Sequence, residues 1–283
     1  MIACPLCHQM NVKPHGWKVS DIIFQECKLC GFVFVPRPIP FSYKEIYNAD
    51  YARLRGHDLI SSPIYQSKLK TAQWYLKKME RFFTKGAMLD VGCSTGANVA
   101  KACDLGWEAF GVDINEAALN TARLNIPQAK FYQDLHHPEI IARKYALITL
   151  FDVIEHVEDI QGFIKNLVSL LDQKGVLFIL TPDASSLSAH VMGNQWPHLF
   201  NEHISLFSKP NLATLLKNNN LRVVESGFAW KLVSFQGLYR HASCHLQKGI
   251  GGKIATSILS LFKNSSSVFP FNIGEFYMIA VKT

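Results

Sequence analysis

Between Ala87 and Pro182 the chain alternates short apolar runs with amphipathic segments, which leaves few folds open to it. The apolar runs are MLDVG, EAFGVD, AKFYQ, ALITLF and GVLFILTP, and helical patterns lie near Val99, from about Glu116 and near 159–171. Strands and helices that alternate at this spacing predict an α/β fold in which a parallel sheet carries helices on both faces.

Further elements flank this region. A helical pattern from about Pro63 to Phe83 has one apolar side and precedes the first strand. After the alternating region, the sequence predicts a helix near 209–217, a strand over Arg222–Phe228 and a last strand over Glu275–Val281.

Residues 229–272 separate the last two predicted strands, and this length is too great for a bare turn. We predict an insertion with its own helix over about 252–263. Its apolar segment from Ile254 to Phe262 has lysines on either side, which fits a lid, a peripheral contact with a membrane surface, or a buried helix.

Composition narrows the class of protein. Of the 283 residues 48% are hydrophobic and 18% are charged, which excludes a disordered chain. No apolar run is long enough to span a membrane, and the first residues lack the layout of a secretory signal, so we expect a cytoplasmic protein with no transmembrane segment. The formal net charge of +7 is compatible with a phosphate-bearing, membrane or acidic partner and does not choose among them.

Four of the seven cysteines form two Cys-x-x-Cys pairs near the N-terminus. The pairs are Cys4 with Cys7 and Cys27 with Cys30, and two such pairs can supply the tetrahedral Cys4 shell that zinc prefers. A segment of about 40 residues has little core, and a structural zinc would stabilise its fold. A redox dithiol is the alternative, although that chemistry needs one such pair at the start of a helix. His8 and His15 are possible substitute ligands.

Three prolines at 36, 38 and 40 end the short strand that follows the second pair. We therefore place a zinc ribbon over 1–40 and the main domain over 41–283. Within the main domain we expect a helical lead-in over 41–86 and the insertion over 229–272.

A turn of small residues follows the first strand of the main domain, in Asp90-Val-Gly92-Cys-Ser94-Thr-Gly96. Small side chains at Gly92, Ser94 and Gly96 let the backbone turn sharply and approach a ligand, with the Asp90 carboxylate beneath the turn. Such a turn alone is weak support for any one of the nucleotide-binding folds, because many of them contain one.

The next strands end in residues suited to a nucleoside. Asp113 lies about twenty residues after the glycines, where an acid can accept both ribose hydroxyls, and Ile114 follows it. Asp134 and Leu135 end the third strand, where a carboxylate can receive the adenine amine. The fourth strand ends in Phe151-Asp-Val-Ile-Glu-His156, at the edge where open α/β sheets bind ligands.

Taken together, DVGCSTG and FDVIEHV resemble motifs of the class I S-adenosylmethionine-dependent methyltransferases, in the broad bacterial type 23-like group. The resemblance runs from about Met88 to Phe207. It implies a Rossmann-like, doubly wound and mostly parallel sheet of seven strands with an antiparallel last strand. It also implies a site for S-adenosylmethionine, whose product is S-adenosylhomocysteine, with the contacts that follow: Asp90 near the amino group, Gly92, Ser94 and Gly96 along the cofactor, Asp113 and Ile114 at the ribose, Asp134 and Leu135 around adenine, and Phe151 at the methionine portion.

The N-terminal pattern that continues into Gly31-Phe-Val-Phe-Val-Pro-Arg-Pro is similar to the zinc-ribbon leader of some members of this group. Ser94 stands where these proteins usually have glycine. A dinucleotide-dependent oxidoreductase is the alternative for the glycine turn, but the Gly-x-Gly-x-x-Gly spacing is missing from it.

Two histidines are candidate general bases, because imidazole titrates near neutral pH. His156 lies in the fourth-strand motif, and His203 lies in WPHLFNEHISLF after the fifth strand. Either histidine could instead be a structural residue, with His156 capping the following helix and His203 packing through a hydrogen bond.

The leading hypothesis is a methyltransferase that acts at oxygen or carbon of a small molecule, such as a sugar, a quinone-like or polyketide-like metabolite, or a lipid-linked precursor. RNA methylation is the first alternative, favoured by the ribbon and a pI near 9.0. The second alternative is an interaction module that contains zinc and binds the cofactor without catalysing transfer.

Overall fold

The computed structural model describes residues 2–37, 39, 62–245, 256–261, 265 and 267–283. The expected linker near residue 40 and the first part of the lead-in over 41–86 lie largely outside these ranges. The boundary between the ribbon and the main domain therefore stays a prediction.

The N-terminal residues form three antiparallel strands: β1 (Val12–Val19), β2 (Ile22–Cys27) and β3 (Val33–Phe34). A fourth strand, β9 (Ser205–Leu206), pairs antiparallel with β3. The small sheet thus joins the N-terminus to a segment of the main domain that is distant in sequence.

The main sheet contains seven strands: β4 (Ala87–Val91), β5 (Glu108–Val112), β6 (Lys130–Tyr132), β7 (Tyr145–Phe151), β8 (Leu171–Pro182), β10 (Leu221–Phe228) and β13 (Glu275–Lys282). Their spatial order is β10, β13, β8, β7, β4, β5, β6. The strands from β4 to β8 pair in parallel, whereas β13 is antiparallel to both β8 and β10. The expected Rossmann-like sheet with an antiparallel last strand is confirmed.

Helices connect the strands: α1 (Pro63–Met79), α2 (Ala97–Asp104), α3 (Glu116–Asn125), α4 (Pro138–Ile141), α5 (Ile160–Leu170), α6 (Leu187–Met192), α7 (Lys209–Asn218) and α8 (Phe235–His245). Short polar side chains start several of them, since a side-chain oxygen can accept from the free N–H groups of the first turn. Ser62 accepts from Tyr65 at 3.1 Å, and Asn115 accepts from Ala118 at 3.1 Å.

Two apolar clusters lie on opposite faces of the main sheet. Leu147 and Ile148, which are neighbours in β7, belong to different clusters because successive side chains of a strand point to opposite faces. One cluster includes α1, α2 and α3, and the other includes α5, α7 and the ribbon. The ribbon is therefore packed against the main domain on the α5 and α7 face.

The insertion contains a hairpin that periodicity alone did not predict. β11 (Lys231–Ser234) pairs antiparallel with β12 (Val268–Phe271), and α8 follows β11 directly. The hairpin packs on α1, where the Leu232 N–H donates to Thr71 Oγ1 at 2.9 Å. Of the helix expected over 252–263, residues 256–260 are helical and most of the remainder lies outside the described part of the chain.

Across the described ranges, the helices lack the combination of length and hydropathy that crossing a membrane requires.

Candidate active site

The glycine-rich turn leads from β4 into α2 through alternating left-handed residues. Gly92, Ser94 and Gly96 have φ angles of 76°, 48° and 83°. A Cβ at Gly92 would lie 2.4 Å from Val153 Cγ2, and one at Gly96 would lie 2.6 Å from Ile126 Cδ1. Glycine is therefore required at both positions, whereas Ser94 tolerates a conformation that is unfavourable for a side chain.

Asp90 is buried beneath this turn, with only 1% of its surface exposed. Its carboxylate accepts hydrogen bonds from Thr149 Oγ1 at 2.6 Å and from Asn98 Nδ2 at 3.1–3.2 Å. Burial raises the pKa of Asp90 to about 7, against the lowering effect of these donors. Asp90 thus connects the turn to both β7 and α2.

Asp113 ends β5 and holds the turn from the other side. Its Oδ2 accepts from the Ser94 N–H at 2.7 Å, and its Oδ1 accepts from the Asn115 N–H at 2.8 Å. Burial raises the pKa of Asp113. Each carboxylate oxygen can accept more than one hydrogen bond, so these contacts leave capacity for the two hydroxyls of a ribose.

The residues expected around adenine lie beside Asp113. The Ile114 side chain is 52% exposed, and the Ile114 carbonyl accepts from Gln133 Nε2 at 3.1 Å. Asp134 is exposed, and Leu135 packs partly against the core. The exposed apolar face of Ile114 is therefore available to a flat ring bound along the ends of β5 and β6.

Phe151 ends β7 and packs against Phe178 and Tyr75, with ring centroids 4.8 and 5.9 Å away.

Half-buried Lys68 on α1 also faces the region of the strand ends, within electrostatic range of Asp152, Asp113 and Asp90. Burial lowers the pKa of Lys68 to about 8. Lys68 lies outside the strand-end motifs from which the site residues were predicted, although the sequence carries a signal for it.

That signal is the position of Lys68 in α1. It stands four residues after Ile64 and four before Ala72, so it falls within the apolar stripe of the helix. A lysine in such a stripe either extends its amine to solvent or meets an acid.

Lys231 bridges two acids at the carboxyl edge of the sheet. Its Nζ lies 2.6 Å from Asp152 Oδ2 and 2.5 Å from Glu275 Oε1. Asp152 has a φ of 55°, and Glu275 is 4% exposed. His198 Nε2 lies 3.8 Å from the same Glu275 oxygen. The insertion is thus anchored through Lys231 to the ends of β7 and β13.

Replacing Lys231 with methionine is expected to lower the free energy of unfolding by about 2–3 kcal/mol at pH 8, because buried Glu275 loses its charged partner. Burial raises the pKa of Glu275 to about 7, so the cost should be smaller at pH 6, where this acid can take up a proton. Urea unfolding at both pH values measures the effect. Lys130→Met is the matched control, since Lys130 pairs with Glu139 at 2.8 Å on the surface, where solvent screens the two charges, and little or no change in stability is expected there.

Glu155, His156 and His203 meet next to this bridge. One polar atom from each lies within 4.8 Å of the other two, and the imidazole centroids of His156 and His203 are 4.7 Å apart. Glu155 is fully buried, and its Oε2 accepts from Thr181 Oγ1 at 2.9 Å. The structure therefore brings together the two candidate bases, which are 47 positions apart in the sequence (203 minus 156).

The backbone sets the tautomer of both imidazoles. His156 Nδ1 lies 2.9 Å from the Glu202 carbonyl, and His203 Nδ1 lies 2.7 Å from the His198 carbonyl. A carbonyl only accepts, so Nδ1 must carry the hydrogen in each case. In the neutral rings, Nε2 then keeps the lone pair that a general base needs.

Three buried acids give the stability of the protein an expected pH dependence. Burial raises the pKa of Glu155 to about 8, and it raises the pKa values of Asp90 and Glu275 to about 7. Because the folded state holds these protons more strongly than the unfolded state, the free energy of unfolding should fall as pH rises from about 5 to 8. Each group lowers the free energy of unfolding by up to about 1.4 kcal/mol per pH unit, over the pH range in which it is protonated in the folded state and ionised in the unfolded state.

Urea unfolding at pH 6, 7 and 8 tests this expectation. Glu155→Gln should remove most of the fall between pH 7 and 8, because glutamine carries no titrating proton. An equally steep fall in this variant would contradict the assignment of that titration to Glu155.

The four N-terminal cysteines lie close enough to bind one ion. Cys4 Sγ is 3.7 Å from Cys30 Sγ, Cys7 Sγ is 3.5 Å from Cys27 Sγ, and all four sulfur atoms lie within 4.8 Å of one another. Zinc–sulfur bonds of about 2.3 Å in a tetrahedron would place the sulfur atoms about 3.8 Å apart. These distances are far too long for disulfides. The donor set fits zinc.

The two Cys-x-x-Cys turns also match each other in backbone geometry. The Cys4 carbonyl accepts from the His8 N–H at 2.9 Å, and the Cys27 carbonyl accepts from the Gly31 N–H at 2.8 Å. His8 and Gly31 both have positive φ angles, of 61° and 69°. His15 instead packs on the Trp17 ring, with centroids 4.2 Å apart.

Comparison with known sequences connects this site to a family. A family described as a methyltransferase domain matches residues 65–226, which is more than half of the chain. The ubiquinone biosynthesis O-methyltransferase of Pelagibacter ubique is 26% identical over 191 residues, covering 63% of this chain and 75% of that protein. The protein of the same name from Histophilus somni is 30% identical over 129 residues, covering 42% of this chain and 54% of the relative.

Solved structures agree on the fold. Magnesium protoporphyrin IX methyltransferase from Synechocystis PCC 6803, solved with bound S-adenosylhomocysteine, superposes with a TM-score of 0.57 at 15% identity, over 85% of this chain and 98% of that one. An S-adenosylmethionine-dependent methyltransferase from Clostridium acetobutylicum gives 0.52 at 13% identity, over 82% and 96%. With this fold and the family match across the strand-end motifs, the chain belongs to the class I S-adenosylmethionine-dependent methyltransferases.

Proposed function

We propose that the protein transfers a methyl group to a hydroxyl oxygen of a small molecule, with a quinone precursor as the leading acceptor. The observation that carries this proposal is the His156–His203 pair, whose rings lie 4.7 Å apart at the carboxyl edge of the sheet. A hydroxyl acceptor benefits from a base, and the carbonyls at Nδ1 of both rings fix the hydrogen on that atom, so that Nε2 is the basic nitrogen of each neutral ring. The names of the sequence relatives support oxygen as the attacked atom and a quinone precursor as the acceptor.

The site residues have separable roles in this proposal. The cofactor is held by the turn from Gly92 to Gly96, by Asp113 at the ribose and by the ends of β6 and β7. When bound, S-adenosylmethionine supplies a methyl group on a positively charged sulfur, which keeps the carbon–sulfur bonding pair as the methyl leaves. Nε2 of His203 or His156 takes the acceptor hydroxyl proton, so that an oxygen electron pair can form the new bond. Orientation of the two reactants can supply roughly 7–11 kcal/mol of the barrier in favourable cases.

Transfer of labelled methyl into a fractionated cell extract tests the proposal. We expect label in the small-molecule pool, in compounds with a phenolic hydroxyl, and loss of that label with Asp113→Ala. Label in RNase-sensitive material would overturn the proposal in favour of RNA methylation. Intact cofactor binding without label in any pool would favour a non-catalytic interaction module.

We further propose that Cys4, Cys7, Cys27 and Cys30 bind one zinc ion. The sulfur spacing and the matched backbone turns support this assignment. Elemental mass spectrometry should find about one equivalent of zinc in the full chain and a loss of it in Cys30→Ser. Cys103→Ser is the matched control, because Cys103 lies on α2, outside the cluster. Less than half an equivalent in the unaltered protein would count against the site.

A further inference from the structure

The segment that carries His203 leads directly into a strand that pairs with the ribbon. Strand β9 begins two residues after His203, and its residues pair as Leu206 with Val33 and Ser205 with Phe34. The Val35 N–H extends this ladder by donating to the Ile204 carbonyl at 2.9 Å. The N-terminal ribbon therefore holds the backbone adjacent to a candidate base.

Aromatic packing fixes the same segment at both ends. Trp196, seven residues before His203, packs against Trp17 of β1 with centroids 5.5 Å apart. Phe207, four residues after it, packs against Phe32 with centroids 4.9 Å apart. The segment from Trp196 to Phe207 is thus held between ribbon side chains.

Both cysteine turns are attached to the helices beside this segment. Asn211 on α7 donates its Nδ2 to the Cys30 carbonyl at 2.5 Å, and Gln161 on α5 donates its Nε2 to the Leu6 carbonyl at 3.0 Å. Leu6 lies between Cys4 and Cys7. Asn211 Oδ1 also accepts from the N–H and the hydroxyl of Ser208, the N-cap of α7, so a change at the cysteines would reach the start of this helix.

The same segment also contacts the candidate active site, through His203 and its neighbour Ile204. The Ile204 N–H donates to the Glu155 carbonyl at 2.9 Å, and the His203 ring contacts the His156 ring. Asp90 and Asp113 bond instead with β7, with α2 and with the glycine turn, away from the ribbon.

We propose that the metal-bound ribbon is a positioning element, which holds His203 in register with His156 while the cofactor site stands independently. This inference rests on the proposed zinc site and on the proposed role of His203. If the inference is right, loss of the metal should disturb the position of His203 and the rate of methyl transfer. It should leave the affinity for S-adenosylmethionine unchanged.

The imidazole nitrogen NMR spectrum of full-length protein labelled with 15N-histidine, together with rates and affinities, tests both expectations. In Cys30→Ser, we expect the His203 signals to move from those of a ring protonated at Nδ1 to those of averaged tautomers. The rate of label transfer into small molecules should fall at least tenfold, since small misplacements of a reacting group are costly. The dissociation constant for S-adenosylmethionine should stay within threefold, as measured by calorimetry. Cys30→His, which can still ligate zinc, should restore both the spectrum and the rate.

Trp17→Ala provides a second route if Cys30→Ser fails to fold. It removes the contact with Trp196 but no cysteine, so we expect full zinc content with the same change in the His203 signals. Ile23→Ala is the matched control, since this ribbon side chain is 53% exposed. Unchanged His203 signals in folded, zinc-free Cys30→Ser, or in Trp17→Ala, would overturn the inference, as would an equal loss of cofactor affinity.

Failure of the proposed function would look different. If His203 is not a base, His203→Ala keeps its turnover, while comparison of the unaltered protein with Cys30→Ser, which both retain His203, still shows the zinc-dependent change in the His203 signals.

Discussion

Replacing His203 with alanine is expected to lower the rate of methyl transfer by about 10²–10⁴-fold, the usual contribution of a general base. The physical reason is the tautomer. The His198 carbonyl, 2.7 Å from His203 Nδ1, keeps the hydrogen on that atom and leaves the lone pair on Nε2. Alanine removes this acceptor from the carboxyl edge of the sheet, where the His156 ring lies 4.7 Å from that of His203 and has its own carbonyl partner, Glu202.

Single-turnover rates and cofactor affinity, measured together, check the His203 prediction. The dissociation constant for S-adenosylmethionine should change less than threefold. His190→Ala is the matched control, because His190 also places its Nδ1 2.8 Å from a backbone carbonyl but lies exposed on α6. His156→Ala should be measured in parallel, since the rings touch. Unchanged turnover in both variants would eliminate the base assignment.

Replacing Asp113 with alanine is expected to weaken S-adenosylmethionine binding by about 100-fold. Hydrogen bonds to a charged group contribute roughly 1.5–3 kcal/mol each, and the loss of two such bonds to the ribose accounts for at least this effect. The same change leaves the Ser94 N–H without its acceptor, which loosens the turn between β4 and α2.

Calorimetric titration measures the Asp113 effect. Asp113→Asn should fall between the unaltered protein and the alanine variant, because the amide keeps one acceptor. Asp104→Ala is the matched control, since Asp104 pairs with Lys101 on the surface at the end of α2. Affinity within threefold of normal in Asp113→Ala would rule out ribose binding by this carboxylate.

Local periodicity predicted the strands of the main sheet, whereas its seven-stranded arrangement and antiparallel last strand were implied by the resemblance to the methyltransferase family. The inner strands β4, β5 and β7 are almost entirely buried, so each reads as a short apolar run between turn residues, and the glycine turn, Asp113 and Phe151 follow from where those runs end. The functional roles of these residues, the zinc ion and the expected cytoplasmic location stay predictions.

Pairings between distant segments could not be predicted. Lys231 and Glu275 are 44 positions apart, and it is the hairpin of β11 and β12 that places the lysine beside the acid. The two-residue strand β9 has no periodicity to detect, so its place in the ribbon was invisible in the sequence. Lys68 is the exception, because its place in an apolar stripe could have been noticed.

The pairing of β3 with β9 also has a consequence for biosynthesis. Val33 leaves the ribosome 173 residues before its partner Leu206, which is the difference between their positions. At about 5–20 residues per second, the N-terminal strands wait roughly 9–35 s for the strand that covers their edge. During that interval the nascent chain exposes an unpaired apolar edge, Val33 and Phe34, of the kind that promotes aggregation. Early metal capture would order the cysteine turns but leave this edge open, so yield in the cell should depend on elongation speed and chaperone supply as well as on zinc.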